Sequence, residues 1–151
     1  MSETTEIPET RESYAWFVDI PTRWMDVDVY GHVNNVEYYS YFDTAVAAHL
    51  IEVGGLDPHN SPVIGLVIET KCLFKKSLLF PIVVNAGLRV VHIGRSSVRY
   101  EIGLFREGDD EPAATGHFVH VYVERQSQKP APIPDERRAA METLMMEPSA
   151  G

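Results

Sequence analysis

Cys72 is the only cysteine in the chain. An internal disulfide is therefore impossible, and so is a metal cluster built on thiolates. In a predicted strand, that lone thiol reads as a small buried hydrophobe. Cations are also scarce: 13 Lys and Arg against 22 Asp and Glu give a formal net charge of −9. Nucleic-acid binding needs a basic face to neutralise phosphates, which argues against that class. No apolar run reaches membrane-spanning length, so no membrane partner is expected. Residues 1–12 are polar and acidic and carry no signal or transit pattern, which makes the cytoplasm the default compartment. The sequence has no Gly-x-Ser-x-Gly stretch, no metal-ligand spacing, no internal repeat and no low-complexity tract. His117 and His120 lie three apart in one predicted strand and face opposite sides, so they cannot share a metal. Neither metal nor cofactor is expected.

What is present fits one soluble domain. The chain has 151 residues, 44% of them hydrophobic and 23% charged, enough for one real core and too short for two. Residues 1–12 read as a disordered tail, 13–128 as the domain, and 129–151 as a proline-rich exit with a C-terminal helix from Asp135 to Met146, capped by Asp135. Trp16, Val18 and Ile20 alternate as a first strand, limited by Pro21. Asn34 or Asn35 caps a helix over Val36–Val53, stopped by Gly54-Gly55. Its apolar stripe is broadened by Tyr39, Tyr41, Ala47 and Ala48, so the helix is expected to be wrapped rather than laid on a surface. Mid-helix, His49 reads as a core histidine. Four strands follow, at 62–74, 82–93, 97–106 and 113–125, separated by turn signals at Gly94 and at Gly108–Pro112. The expected class is α+β, an antiparallel sheet curled around one long helix. The edges of such a sheet need covering.

The most informative stretch runs from Arg23 to Tyr39. It sets Asp28, Gly31 and His32 just before the helix start, where unpaired N–H groups and a positive dipole end are found. A carboxylate there can attack a carbonyl, or activate water against it, while the N–H groups hold its oxygen. Backbone groups of Asn34, Asn35 and Val36 are the expected donors.

The segment Asp28-Val29-Tyr30-Gly31-His32-Val33-Asn34-Asn35 resembles the signature of hot-dog fold acyl-CoA thioesterases, the 4-hydroxybenzoyl-CoA thioesterase-like family, and is similar to a stretch of acyl-ACP thioesterases. The resemblance covers roughly Tyr14 to Ala140. It implies the hot-dog fold, hydrolysis of an acyl-CoA, and a homodimer or homotetramer with sites at the dimer interface. It implies Asp28 as nucleophile or general base, ahead of Asp26, with His32 and Asn35 beside it. His32 departs from the 4-hydroxybenzoyl-CoA thioesterase-like members, which lack histidine at that position. Asn34, Val36, Tyr38 and Glu69 are expected to bind the substrate, Asn34 and Val36 through their backbone, Tyr38 by shaping the acyl tunnel and Glu69 as a second polar residue near the site. For Glu69 an outward-facing strand position is the simpler reading. The phosphates of CoA would need Lys75, Arg95 and Ser96, from a locally basic middle of the chain. Hydrolysis of acyl-ACP, or a catalytically inactive acyl-binding module, are the alternatives. The hydratase stretches Asp-x-Asn-Pro-x-His and His-Phe-Pro-Gly are absent.

Overall fold

The computed structural model describes residues 9–146. Strand β1 (Trp16–Pro21) leads through a short 3-10 turn at Trp24–Asp26 into helix α1 (Asn35–Glu52). Strands β2 (Val63–Phe74), β3 (Val83–Ile93), β4 (Ser97–Arg106) and β5 (Ala114–Glu124) follow, then helix α2 (Asp135–Glu142). All pairings are antiparallel, in the order β1-β3-β4-β5-β2. Hairpin turns set the β3-β4-β5 neighbours, while α1 carries the chain between the two outer strands. The strands fall within a residue or two of their predicted bounds.

The sheet curls about α1 from its first strand to its last. The ring of Trp16 in β1 meets His49 at 4.9 Å, Phe118 in β5 meets Phe42 at 5.9 Å, and Phe74 in β2 meets Tyr38 at 4.9 Å. The core is the face that alternation predicts. Val84, Ala86, Leu88 and Val90 from β3 and Val98, Tyr100, Ile102 and Leu104 from β4 are all fully buried. A large aliphatic side chain buried in this way contributes about 1.5–3 kcal/mol relative to exposure. Cys72 is buried, which pushes its thiol up to about 12 and makes it inert at neutral pH. His49 is buried too, and burial lowers its pKa.

The wrapping of α1 is one-sided. Tyr38, Tyr41, Phe42, Ala45, Val46, His49 and Leu50 are buried, but Tyr39, Ala47 and Ala48 are only half-buried and Val36 is exposed. The sheet has a single face to offer, and the flank of the helix beside β2 is left open. β2 itself is an edge strand. It exposes Leu66, Val67, Ile68, Leu73 and Phe74, with Ile68 at 63%.

Both ends of the chain depart from expectation. Residues 1–8 of the expected tail lie outside the described residues. From Glu9 onward the chain is fastened to the outer face of the sheet. Arg11 donates to the carbonyls of Asp109 (2.7 Å) and Arg106 (3.1 Å), and Arg89 pairs with Glu9 at 2.8 Å. At the other end, α2 stops at Glu142 rather than Met146. The chain there turns to bond β3, with the Val90 N–H donating to the Leu144 carbonyl at 2.8 Å. Asp135 is the first residue of α2 and not its cap.

Candidate active site

The segment between Val27 and Val33 folds back on itself as a closed loop. Val27 and Val33 form an antiparallel bridge, and the Asp28 N–H donates to the His32 carbonyl at 2.8 Å. Gly31 makes the reversal with φ 82°, a region that costs a side-chain-bearing residue about 1–2 kcal/mol. Within this loop one oxygen of Asp28, Oδ1, accepts the N–H groups of Tyr30 (2.8 Å) and His32 (3.3 Å). The other oxygen, Oδ2, has no partner among the described residues. The carboxylate is thus oriented by one oxygen and open at the other, as an attacking group or base requires.

The loop delivers this carboxylate to the start of α1. Asn34 is the N-cap, its side-chain oxygen accepting the Val36 N–H at 3.2 Å. The Asn34 N–H is itself spent on the Asp26 carbonyl at 2.8 Å. Of the three expected donors, only the Asn35 N–H has no partner among the described residues, and it alone remains for a substrate oxygen.

Asp28, His32, Asn35, Tyr38 and Lys75 meet in one cleft of about 380 Å³, completed by Val33, Phe74, Lys76 and Ser77. The far wall is the loop after β2. Tyr38 bolts it to α1, its hydroxyl accepting the Leu78 N–H at 3.1 Å, and the Val33 N–H donates to the Leu78 carbonyl at 2.8 Å. Arg106 donates through Nε to the Ser77 carbonyl at 2.9 Å. Lys76 is neutralised by Asp109 and Glu111, both at 3.0 Å. Lys75 has no ionic partner among the described residues and is the free cation of the cleft. Nothing in the sequence pattern marked Ser77 or Phe74 for this wall; they arrive with the end of β2. The His32 imidazole makes no hydrogen bond among the described residues. Its backbone alone ties the loop.

Asp26 is a different kind of residue. It is fully buried and accepts from the Arg23 N–H (2.9 Å), Arg23 Nε (3.0 Å) and the Tyr41 hydroxyl (2.8 Å). Burial alone would raise its pKa, but these hydrogen bonds outweigh it and hold the carboxyl below its ordinary range. It fastens the loop to α1 and takes no place in the cleft.

Four predicted site residues also lie elsewhere in their own chain. Glu69 pairs with His117 at 2.7 Å, and its exposed position is the outward one that strand alternation favours. Arg95 and Ser96 occupy the β3–β4 turn, where the Arg95 and Ser96 carbonyls accept the N–H groups of Ile133 (2.9 Å) and Tyr122 (2.7 Å). That turn is at the opposite end of the strands from the cleft. Val36 points to solvent, 60% exposed. Among the described residues no group of His, Cys, Asp and Glu could hold a metal.

Residues 22–141, which include the loop, the cleft, α1 and strands β2 to β5, match the model of the thioesterase-like superfamily. The chain belongs to that superfamily. Thioester hydrolysis is the reaction class it shares, and the fold is the hot-dog. This superfamily member is 52% identical to the PA5185 protein of Pseudomonas aeruginosa strain PAO1, covering 91% of this chain and 96% of that one with a TM-score of 0.89. It is 22% identical to a DHNA-CoA thioesterase from Staphylococcus aureus, covering 84% and 86% with a TM-score of 0.73, a likeness of fold. The YsmA protein of Bacillus subtilis strain 168 is 25% identical over 138 residues, 91% of this chain and 90% of its own.

Proposed function

We propose that the protein hydrolyses an acyl-CoA thioester to a free acid and CoA. The observation that carries this is the cleft itself: an oriented carboxylate with one free oxygen, facing a free N–H at the start of an 18-residue helix. Asp28 Oδ2 either attacks the thioester carbonyl or takes a proton from the water that does. The carbonyl oxygen gains charge as it becomes tetrahedral, and the Asn35 N–H and the helix dipole stabilise that charge. Collapse expels the thiolate, a good leaving group that needs little proton donation. His32 is at hand to orient water. Lys75, in the wall of the same cleft, would meet the phosphate-bearing arm. The DHNA-CoA thioesterase of like fold acts, by its name, on a CoA thioester, which supports CoA as the carrier here.

The reading includes a homodimer. The open flank of α1 and the exposed apolar row on β2 need a cover, and a second copy of β2 supplies one. Antiparallel pairing of β2 with its twin lays the Phe74 end of one protomer beside the Val63 end of the other. The β3–β4 turn lies at that Val63 end, since Val63 pairs with Glu124 and Ser97 with Val121. Arg95 and Ser96 of one protomer then border the cleft of its partner.

Asp28→Asn tests the chemistry. Asparagine keeps the Oδ1 contacts, so the fold and melting temperature should hold while kcat falls by about 10²–10⁴-fold on acyl-CoA. Near wild-type turnover in a thiol-release assay would refute the assignment.

A further inference from the structure

The loop after β2 is shared by more than one hollow. Lys75 borders the Asp28 cleft, a middle hollow of about 200 Å³ and an outer one of about 230 Å³. Lys76 joins the cleft to the middle hollow, and Glu9 joins the middle hollow to the outer one. One groove therefore runs from the Asp28 cleft, over the end of β2, onto the outer face of the sheet. The outer hollow is built on a register row. Lys71 of β2 pairs with His117 of β5, His117 with Glu101 of β4, and Glu101 with Arg89 of β3. Alternation sets these side chains on the face opposite the core, since Cys72, next to Lys71, is buried.

Four cations line the outer hollow, Lys71, Lys75, Arg89 and Arg99, against two carboxylates, Glu9 and Glu101. Arg89 takes both carboxylates, at 2.8 and 2.6 Å. The side chains of Lys71 and Lys75 are exposed and make no hydrogen bond or ion pair among the described residues. Arg99 is held in place. Its guanidinium lies 3.1 Å from His117 Nδ1, whose other ring nitrogen is 2.7 Å from Glu69, and it meets Glu101 only at 3.9 Å. A chain of net charge −9 repels polyanions at long range. A positive surplus at the far end of a groove that starts at Asp28 runs against that background and marks where an anion ends. A phosphate monoester, at about −1.5 to −2, matches the surplus. Four residues of extended chain, about 13 Å, separate Lys71 from Lys75. A nucleotide held between two long lysine side chains can bridge that step.

We propose that the outer hollow binds the phosphate monoester on the ribose of CoA through Lys71 and Arg99, and that it makes the protein selective for thioesters carrying that phosphate. The proposal rests on the acyl-CoA reading of the Asp28 cleft. The acyl carbonyl reacts at Asp28, the diphosphate crosses at Lys75, and the adenosine turns onto the sheet. A partner protomer's Arg95 turn would border the crossing and not the outer hollow. A thioester on a carrier protein has no nucleotide to place there.

Calorimetric titration of the whole protein with CoA and with dephospho-CoA, which differ only in that phosphate, tests this without a choice of acyl group. CoA should bind wild type about tenfold more tightly. Lys71→Ala, which removes no side-chain contact of the fold, should close most of that gap by weakening CoA alone. Arg99→Ala should do the same. Adenosine 3',5'-bisphosphate should shift the His117 ring resonances of labelled wild type, and inorganic phosphate at the same concentration should leave them in place. Equal affinity for CoA and dephospho-CoA, no measurable binding of either, or equal losses on both in the two variants would overturn the proposal and leave hydrolysis at Asp28 standing. A shift by inorganic phosphate as large as that by the bisphosphate would overturn it too, reducing the hollow to an unselective anion patch. If no acyl-CoA is hydrolysed while CoA keeps an advantage that depends on Lys71, the hydrolytic reading falls and the nucleotide site stands. Should Arg99→Ala fail to fold, Lys71→Ala carries the comparison.

Discussion

Asp26 and Asp28 stand two residues apart and do opposite work. Asp28 is oriented by main-chain N–H groups and left half-free, whereas every contact of the Asp26 carboxylate is spent on Arg23 and Tyr41. The motif made Asp28 legible in the sequence. Nothing there separated the roles so sharply, because the segment is irregular and no period says which carboxylate turns inward. Stability should report the difference. The folded pKa of Asp26 is held below its ordinary 3.8, so its contribution is fully present above that value and is lost as pH falls through the folded value. Asp26→Asn should cost about 1–3 kcal/mol at neutral pH, the scale of hydrogen bonds to a buried charge. The gap in melting temperature from wild type should close as acid protonates the native carboxyl. A gap unchanged down to about pH 2 would show that Asp26 acts through shape alone.

Helix α1 does more than fill the sheet. Its N-terminus borders the cleft where Asp28, His32 and Asn35 meet, and one turn on, Tyr38 locks the wall that bears Lys75. Tyr38→Phe leaves the buried Leu78 N–H without its acceptor and frees that wall. Melting should drop by the equivalent of about 1–3 kcal/mol. KM for acyl-CoA should rise more than kcat falls, since the wall positions substrate and does not touch the reacting oxygen. A kcat loss as deep as that of Asp28→Asn would instead place the Tyr38 hydroxyl in the chemistry. The elements were legible where alternation or helical spacing persisted over many residues, as in β4 and α1. The end of α2 was not, because its sequence stays helix-compatible through Met146 while a tertiary bond from Val90 to Leu144 stops it. Glu9 and Arg11 were hidden for the same reason: their partners are 74 or more residues away, in Arg89, Asn85 and the Asp109 turn.

One chain leaves part of what the sequence describes uncovered. The predicted helix was apolar over more of its circumference than one sheet can cover, and the uncovered part borders the edge strand that exposes Ile68 and Phe74. The Asp28 cleft and the Arg95 turn sit at opposite ends of that strand. In the dimer proposed above, a two-fold through β2 would resolve both facts at once: it would cover the apolar row and bring each Arg95 turn to the other protomer's cleft. Ile68→Asp places a charge in the middle of the shared edge. It should convert a dimer at micromolar concentration into monomer by sedimentation, and activity should fall with it. A wild-type monomer would remove the two-chain site altogether. Arg95 then gives the finer test. If its guanidinium meets the phosphates of CoA across the interface, Arg95→Ala should raise KM for acyl-CoA severalfold and leave KM for an acyl-pantetheine thioester unchanged. The CoA effect should weaken with added salt, as exposed charges are screened over about 8 Å at physiological ionic strength. Equal changes on the two substrates would make Arg95 a structural residue of its turn. The phosphates would then belong to Lys75, the cation that each cleft already holds within its own chain.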